Sequence, residues 1–153
     1  MMSTSVSRAA GALHRREFIG VCVCTVGGLA LGGCASLMTR AVTPIDGRIV
    51  LNLMHYPELT ERGGSLKLQP AGHADPVYVL AQRDGSFVAL SPVCTHLGCT
   101  VEIQGERLMC PCHGSTYDAS GAVLQGPAQK ALGRYATNLT PDGVLTIDLR
   151  SGG

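Results

Sequence analysis

Two short boxes constrain this chain more than any other feature: Cys94-Thr95-His96-Leu97-Gly98-Cys99 and Cys110-Pro111-Cys112-His113-Gly114-Ser115. Each sets a cysteine and a histidine close together and carries one cysteine more. Glycine or proline punctuates both, so each reads as a loop and not as the interior of a helix or strand. Between them, residues 100–103 and 107–109 flank Gln104-Gly105-Glu106, a hairpin signal. A hairpin returns the chain to where it started. The two loops therefore lie at adjacent ends of one hairpin, where they can face each other and grip something small.

The sequence around the boxes is written in short strands. Residues 49–53 alternate, with Ile49, Leu51 and Leu53 on one face, and residues 65–69 alternate as well. Residues 77–82 and 86–90 flank Arg83-Asp84-Gly85. Ala119-Ser120-Gly121 separates residues 116–118 from 122–124, and Thr140-Pro141-Asp142-Gly143 separates 134–139 from 144–149. No stretch beyond residue 45 holds a helical period. The pattern predicts an all-β domain over residues 49–150, a small antiparallel sandwich or barrel. Aromatic residues make up 4% and Trp is absent, so its core is small and aliphatic.

Residues 1–40 differ in kind. Arg15-Arg16-Glu17-Phe18-Ile19 precedes an apolar, glycine-rich run without charge. A basic segment ahead of a short apolar one is the layout of an export signal. The arginine pair resembles a twin-arginine signal, although His14 stands where Ser or Thr is commoner. Leu31-Gly32-Gly33-Cys34 resembles a lipobox, which makes Cys34 a candidate for lipidation. The apolar run over residues 18–38 is 21 residues long, enough to cross a bilayer uncleaved. A lipid anchor and an uncleaved helix are thus competing fates, and both put the domain at the outer surface of a membrane. Residues 41–48, with Thr43-Pro44 and Asp46-Gly47, read as a linker. Setting residues 1–33 aside removes Arg8, Arg15, Arg16 and Glu17 and changes the formal charge from +1 to −1. Neither value offers a basic footprint for nucleic acid.

Four chemistries compete for the boxes. Two cysteines and two histidines suit tetrahedral zinc. The same set suits a [2Fe–2S] cluster with cysteines on one iron and histidines on the other. Disulfides with structural histidines suit an exported chain, and a Cys-His dyad suits nucleophilic catalysis. A nucleophile site does not need four cysteines; ligand counting does not separate zinc from iron–sulfur.

At this point the boxes resemble those of the Rieske iron–sulfur proteins, specifically the high-potential, disulfide-containing class of the cytochrome bc-type complexes. The likeness continues through Thr116-Tyr117-Asp118 and Gly126-Pro127-Ala128 and covers about half the chain, residues 77–149. It implies the Rieske fold and one [2Fe–2S] cluster. Carried over by position, it implies that Cys94 and Cys110 bind one iron and His96 and His113 the other. Cys99 and Cys112 are then the disulfide. Ser115 is the hydroxyl donor to a bridging sulfide, and Tyr117 the donor to the Cys94 sulfur. Gly126, Pro127 and Ala128 form a loop covering the cluster. One departure is visible: 13 residues lie between His96 and Cys110, fewer than the family usually has, so the connecting hairpin is short.

The implied function is electron transfer as the iron–sulfur subunit of a quinol:cytochrome c-type reductase, partnered by quinol and by cytochrome b- and c-type subunits. The exposed imidazole edges of His96 and His113 then couple electron to proton. The alternative is the small subunit of a periplasmic oxidase such as arsenite oxidase, which only relays electrons from a larger catalytic chain. A structural Cys₂His₂ zinc module is the third reading. In the first two, the chain is not a catalyst alone, and it sits on the periplasmic side of a bacterial inner membrane. His55 and His73 read as ordinary surface histidines, and Tyr56, Tyr78 and Tyr135 as core or rim residues.

Overall fold

The computed structural model describes residues 39–152. The expected signal, the apolar run and Cys34 lie outside the described residues. Among the described residues no helix is long and apolar enough to cross a membrane. The architecture is all-β, as the alternation predicts.

Among the described residues, eleven strands form two sheets: β1 (Thr39–Val42), β2 (Arg48–Asn52), β3 (Ser65–Pro70), β4 (Val77–Ala81), β5 (Phe87–Leu90), β6 (Glu102–Gln104), β7 (Arg107–Met109), β8 (Thr116–Asp118), β9 (Val123–Gln125), β10 (Arg134–Leu139) and β11 (Val144–Asp148). The larger sheet runs β1-β3-β4-β5-β10-β11-β2, and the smaller is the meander β6-β7-β8-β9. The smaller sheet and both boxes are thus inserted between β5 and β10. Two single 3₁₀ turns, Leu53–His55 and Pro57–Leu59, link β2 to β3.

Period-two patterning builds the larger sheet. Ile49 and Leu51 of β2, Leu66 and Leu68 of β3, and Leu145 and Ile147 of β11 point inward and are buried, while their neighbours face out. β4 is buried at every position. Val77 and Val79 enter the core of the larger sheet, and Tyr78 and Leu80 enter a second core beneath the boxes. β5 divides the same way, with Ala89 on the first side and Val88 and Leu90 on the second. The unbroken apolar run of β4 is what two-sided burial demands. The Tyr78 hydroxyl crosses to the smaller unit and donates to the Val101 carbonyl at 2.8 Å. At the far end, Arg83 in the β4–β5 turn grips both carboxylate oxygens of Glu106 in the β6–β7 turn.

One expectation needs correction, the wholly antiparallel sheet: β1, which runs across residue 40 into the 41–48 segment, pairs with β3 in parallel, Thr39 opposite Lys67 and Val42 opposite Pro70. Its sequence, Thr-Arg-Ala-Val, has no apolar alternation, and its side chains are largely exposed. The backbone ladder to β3 and an ion pair between Arg40 and Glu58 at 3.1 Å hold it. The sheet is therefore not purely antiparallel. Smaller shifts occur at the first box, where β6 starts at Glu102 and not at Thr100 because the Val101 N–H is drawn back to the Pro92 carbonyl.

Candidate metal centre

The two boxes fold into the same turn. In the first, the Cys94 N–H donates to the Cys99 carbonyl at 2.8 Å and the Gly98 N–H to the Cys94 carbonyl at 2.9 Å. In the second, the Cys110 N–H donates to the Ser115 carbonyl at 2.8 Å and the Gly114 N–H to the Cys110 carbonyl at 3.0 Å. Each loop thus closes four and five residues after its leading cysteine. The fifth residue is a glycine in both, Gly98 at φ 80° and Gly114 at φ 74°. Nothing lies within 4 Å of a Cβ built on either, so backbone conformation and not space requires glycine there. Within this shared frame the histidines take different offsets: His96 is two residues after its cysteine and His113 three.

The frame places Cys94 and Cys110 inward, both buried and both free thiols. Cys99 and Cys112, the cysteines left over by the Cys-His pairing, are joined in a disulfide that ties loop to loop, with Cα atoms 6.5 Å apart. The sulfurs of Cys99, Cys110 and Cys112 lie within 4.8 Å of one another. Two of these three are spent on the bridge, so the trio is not a ligand set. His96 and His113 meet edge to face, ring centroids 5.0 Å apart. His113 is exposed, His96 half-buried. The Nδ1 of His96 is buried with no hydrogen-bond partner. A buried, unpaired ring nitrogen costs free energy unless something binds it.

Hydroxyl groups surround the thiols. Ser115 is fully buried, and its Oγ accepts from the Ala128 N–H at 3.0 Å, which leaves the Ser115 hydrogen free to donate inward. Tyr117, also fully buried, sets its hydroxyl 3.3 Å from the Cys94 sulfur. Burial pushes the Cys94 thiol pKa up, but hydrogen bonds from Tyr117, the His96 amide, Cys110 and Ser115 outweigh it and hold the thiol below its ordinary value. Burial and the Cys94 sulfur push the Tyr117 hydroxyl up, so Tyr117 keeps its hydrogen at neutral pH. Gly126-Pro127-Ala128, with a cis peptide before Pro127, lies against the boxes, and Ala128 is buried. One contact has no signature in the amino-acid sequence. Thr95 donates its hydroxyl hydrogen to the Lys130 carbonyl at 2.6 Å, so the loop is fastened to both boxes. Its position directly after Cys94 was the only available signal.

Two buried thiols, two facing histidines and an orphaned ring nitrogen could supply two sulfur and two nitrogen ligands, with hydroxyl donors alongside. The donor set fits a cluster carrying cysteines on one iron and histidines on the other. Comparison with known proteins agrees. The Rieske [2Fe-2S] domain family matches residues 52–136, more than half of the chain. The cytochrome b6-f complex iron-sulfur subunit of Synechococcus elongatus is 37% identical over 162 residues, which cover 92% of this chain and 90% of that one. The corresponding subunit of Microcystis aeruginosa is 39% identical over 144 residues, 84% of this chain and 80% of that one. Against a longer subunit from the cyanelle of Cyanophora paradoxa, 38% identical, the match spans 58% of this chain but 39% of the relative. Among solved structures, the plasma membrane Rieske protein of Synechocystis is 35% identical and covers 60% of this chain and 92% of that one, with a TM-score of 0.49. The quaternary ammonium Rieske monooxygenase CntA shares the fold alone, at 15% identity and a TM-score of 0.51 over 62% of this chain and 30% of that one. The chain belongs to the Rieske [2Fe–2S] family, in its disulfide-containing class. It holds one [2Fe–2S] cluster.

Proposed function

We propose that this chain is the iron–sulfur subunit of a quinol:cytochrome c-type reductase, exported by the twin-arginine route and held on the periplasmic side of the membrane by an uncleaved helix or by a lipid on Cys34. Near full-length similarity to cytochrome b6-f iron-sulfur subunits supports this partner class. The observation that carries the site assignment is the buried Nδ1 of His96, left without a partner beside two free buried thiols. In this reading Cys94 and Cys110 hold one iron, and His96 Nδ1 and His113 hold the other. When bound, the cluster supplies one-electron transfer at a raised potential, because two neutral imidazoles stand where thiolates would add negative charge.

The chain's own residues do the rest. The Cys99–Cys112 bridge fixes the spacing of the two boxes. The loop from Gly126 to Lys130 shuts water out from a third side. The Ser115 and Tyr117 hydroxyls stabilise negative charge on sulfur and so favour the reduced form. The outer nitrogen of His96 and the exposed ring of His113 offer quinol a hydrogen-bond partner and a place to leave its proton.

The experiment is to isolate the membrane complex through this chain. A cytochrome b partner is expected. A large molybdenum subunit in its place would transfer the chain to the periplasmic oxidases, and a colourless zinc-loaded protein would overturn the reading. On the isolated protein, Ser115→Ala and Tyr117→Phe should each lower the midpoint potential by ~40 mV, the one-electron equivalent of about 1 kcal/mol of hydrogen bonding. Film voltammetry reads this directly. The wild-type midpoint should fall as pH rises through the alkaline range, because the reduced protein binds the proton more tightly. A flat line to strongly alkaline pH would remove the histidines from the proton's path.

A further inference from the structure

We propose that Thr95 is a positioning residue that sets how much of the Tyr117 hydrogen bond reaches the Cys94 sulfur. The inference rests on the reading of Cys94 as an iron ligand and of Tyr117 as its hydrogen-bond donor.

The assignment follows from counting hydrogens. Tyr117 carries one hydroxyl hydrogen and has two neighbours that can take it: the Cys94 sulfur at 3.3 Å and the Thr95 Oγ1 at 3.2 Å. The second contact has a fixed direction. The Thr95 hydrogen is committed to the Lys130 carbonyl at 2.6 Å, and a carbonyl can only accept. Toward Tyr117, therefore, Thr95 Oγ1 is an acceptor. Thr95 also presents its backbone N–H to the Tyr117 oxygen at 3.3 Å. That contact occupies a lone pair of the phenol and so turns its hydrogen away from the Thr95 amide. Thr95 thus aims the tyrosine hydrogen with its amide and shares it with its hydroxyl oxygen.

Sulfur is the weaker acceptor of the two, so an oxygen at the same distance takes a real share. Removing that oxygen without changing the shape of the side chain gives the whole hydrogen to Cys94. A hydrogen bond to sulfur favours the reduced form. Thr95→Val should therefore raise the midpoint potential, opposite in sign to Tyr117→Phe. A two- to tenfold gain in the reduction equilibrium would read as about 20 to 60 mV for one electron.

A rival role is purely structural, since the same hydroxyl latches the loop at Lys130. Loosening that latch would move the potential whether or not Tyr117 has a hydroxyl. The test is a four-way comparison of midpoint potentials on the full, cluster-loaded chain: wild type, Thr95→Val, Tyr117→Phe, and both together. The expected result is an upward shift for Thr95→Val that vanishes in the Tyr117→Phe background, with Thr95→Ser staying at the wild-type value. A shift of the same size in both backgrounds, a downward shift or no shift overturns the proposal while leaving Tyr117 as donor. If Tyr117→Phe alone moves nothing, the underlying reading fails and this inference with it. Should Thr95→Val lose the cluster, Thr95→Ala is read in the same way. Loss in both variants makes Thr95 a latch only and overturns the proposal.

Discussion

In the seven-stranded sheet, inward side chains such as Leu68, Val79 and Ile147 interlock through alternation alone, and no single contact decides the arrangement. In the four-stranded sheet every strand is three residues long, and its loops stand on individual features: one disulfide, four glycines at positive φ (Gly98, Gly105, Gly114 and Gly121), and hydroxyls on named atoms. The first region is specified by a period and tolerates change that preserves volume. The second is specified atom by atom. Chemistry has been placed where geometry is most narrowly defined, on a support whose geometry is robust.

This contrast can be broken by experiment. The largest effect should come from Cys94→Ser, which removes one of the proposed ligands: the cluster's visible absorption is expected to be lost outright. Amide exchange should then rise in the two boxes, while β2, β3 and β11 keep their protection. Equal loss of protection in both sheets would show that the larger sheet depends on the site. Next, Leu68→Ala should cost about 2–5 kcal/mol of unfolding free energy, yet leave the absorption and midpoint of the still-folded protein unchanged. A shifted midpoint would show that the cores communicate. The smallest effect concerns Asp118, whose carboxylate caps the β8–β9 turn by accepting from the Ser120 N–H at 2.8 Å, the Ser120 hydroxyl and the Ala122 N–H at 3.0 Å. Burial raises its pKa, but these bonds together hold it below the ordinary value. Its contribution is therefore present above the unfolded carboxylate's pKa and is lost as pH falls through the lower folded value. Asp118→Ala should cost about 1 kcal/mol at neutral pH, with the gap to wild type closing in acid. A gap independent of pH in denaturant titrations would remove the charge from the explanation.

What the sequence revealed follows the same division. β2, β3 and β11 were legible because one face of each is apolar, and β4 because a continuous apolar run at strand length means two covered faces. The boxes were legible because few chemistries need those residue types so close together. β1 was not: Thr39–Val42 lacks an apolar stripe, and its partners are the backbone of β3 and the side chain of Glu58, supplied by remote chain. β9 begins one residue later than its apolar pattern suggests, since Ala122 is held in the turn, its N–H on the Asp118 carboxylate and its carbonyl on the Asp118 N–H. The contacts of Thr95 were illegible for a similar reason. A carbonyl at Lys130 has no residue-type signature, and only the folded loop brings it within reach of a hydroxyl 35 residues earlier.

The double burial of β4 and β5 bears on the order in which the molecule assembles. Neither hydrophobic interior can close without this hairpin, and its turn at Arg83-Asp84-Gly85 is local in sequence. The insertion at residues 91–133 and the return through β10 bring contacts of long sequence separation, whose loop-closure entropy is met only afterwards. The hairpin is thus the natural nucleus. Transition-state φ-values near one for Leu80 and Val88, against values near zero in the two boxes, would be its kinetic signature. The reverse ranking would place the nucleus in the β10–β11 hairpin instead. On this account the cluster loops are the last part of the domain to form.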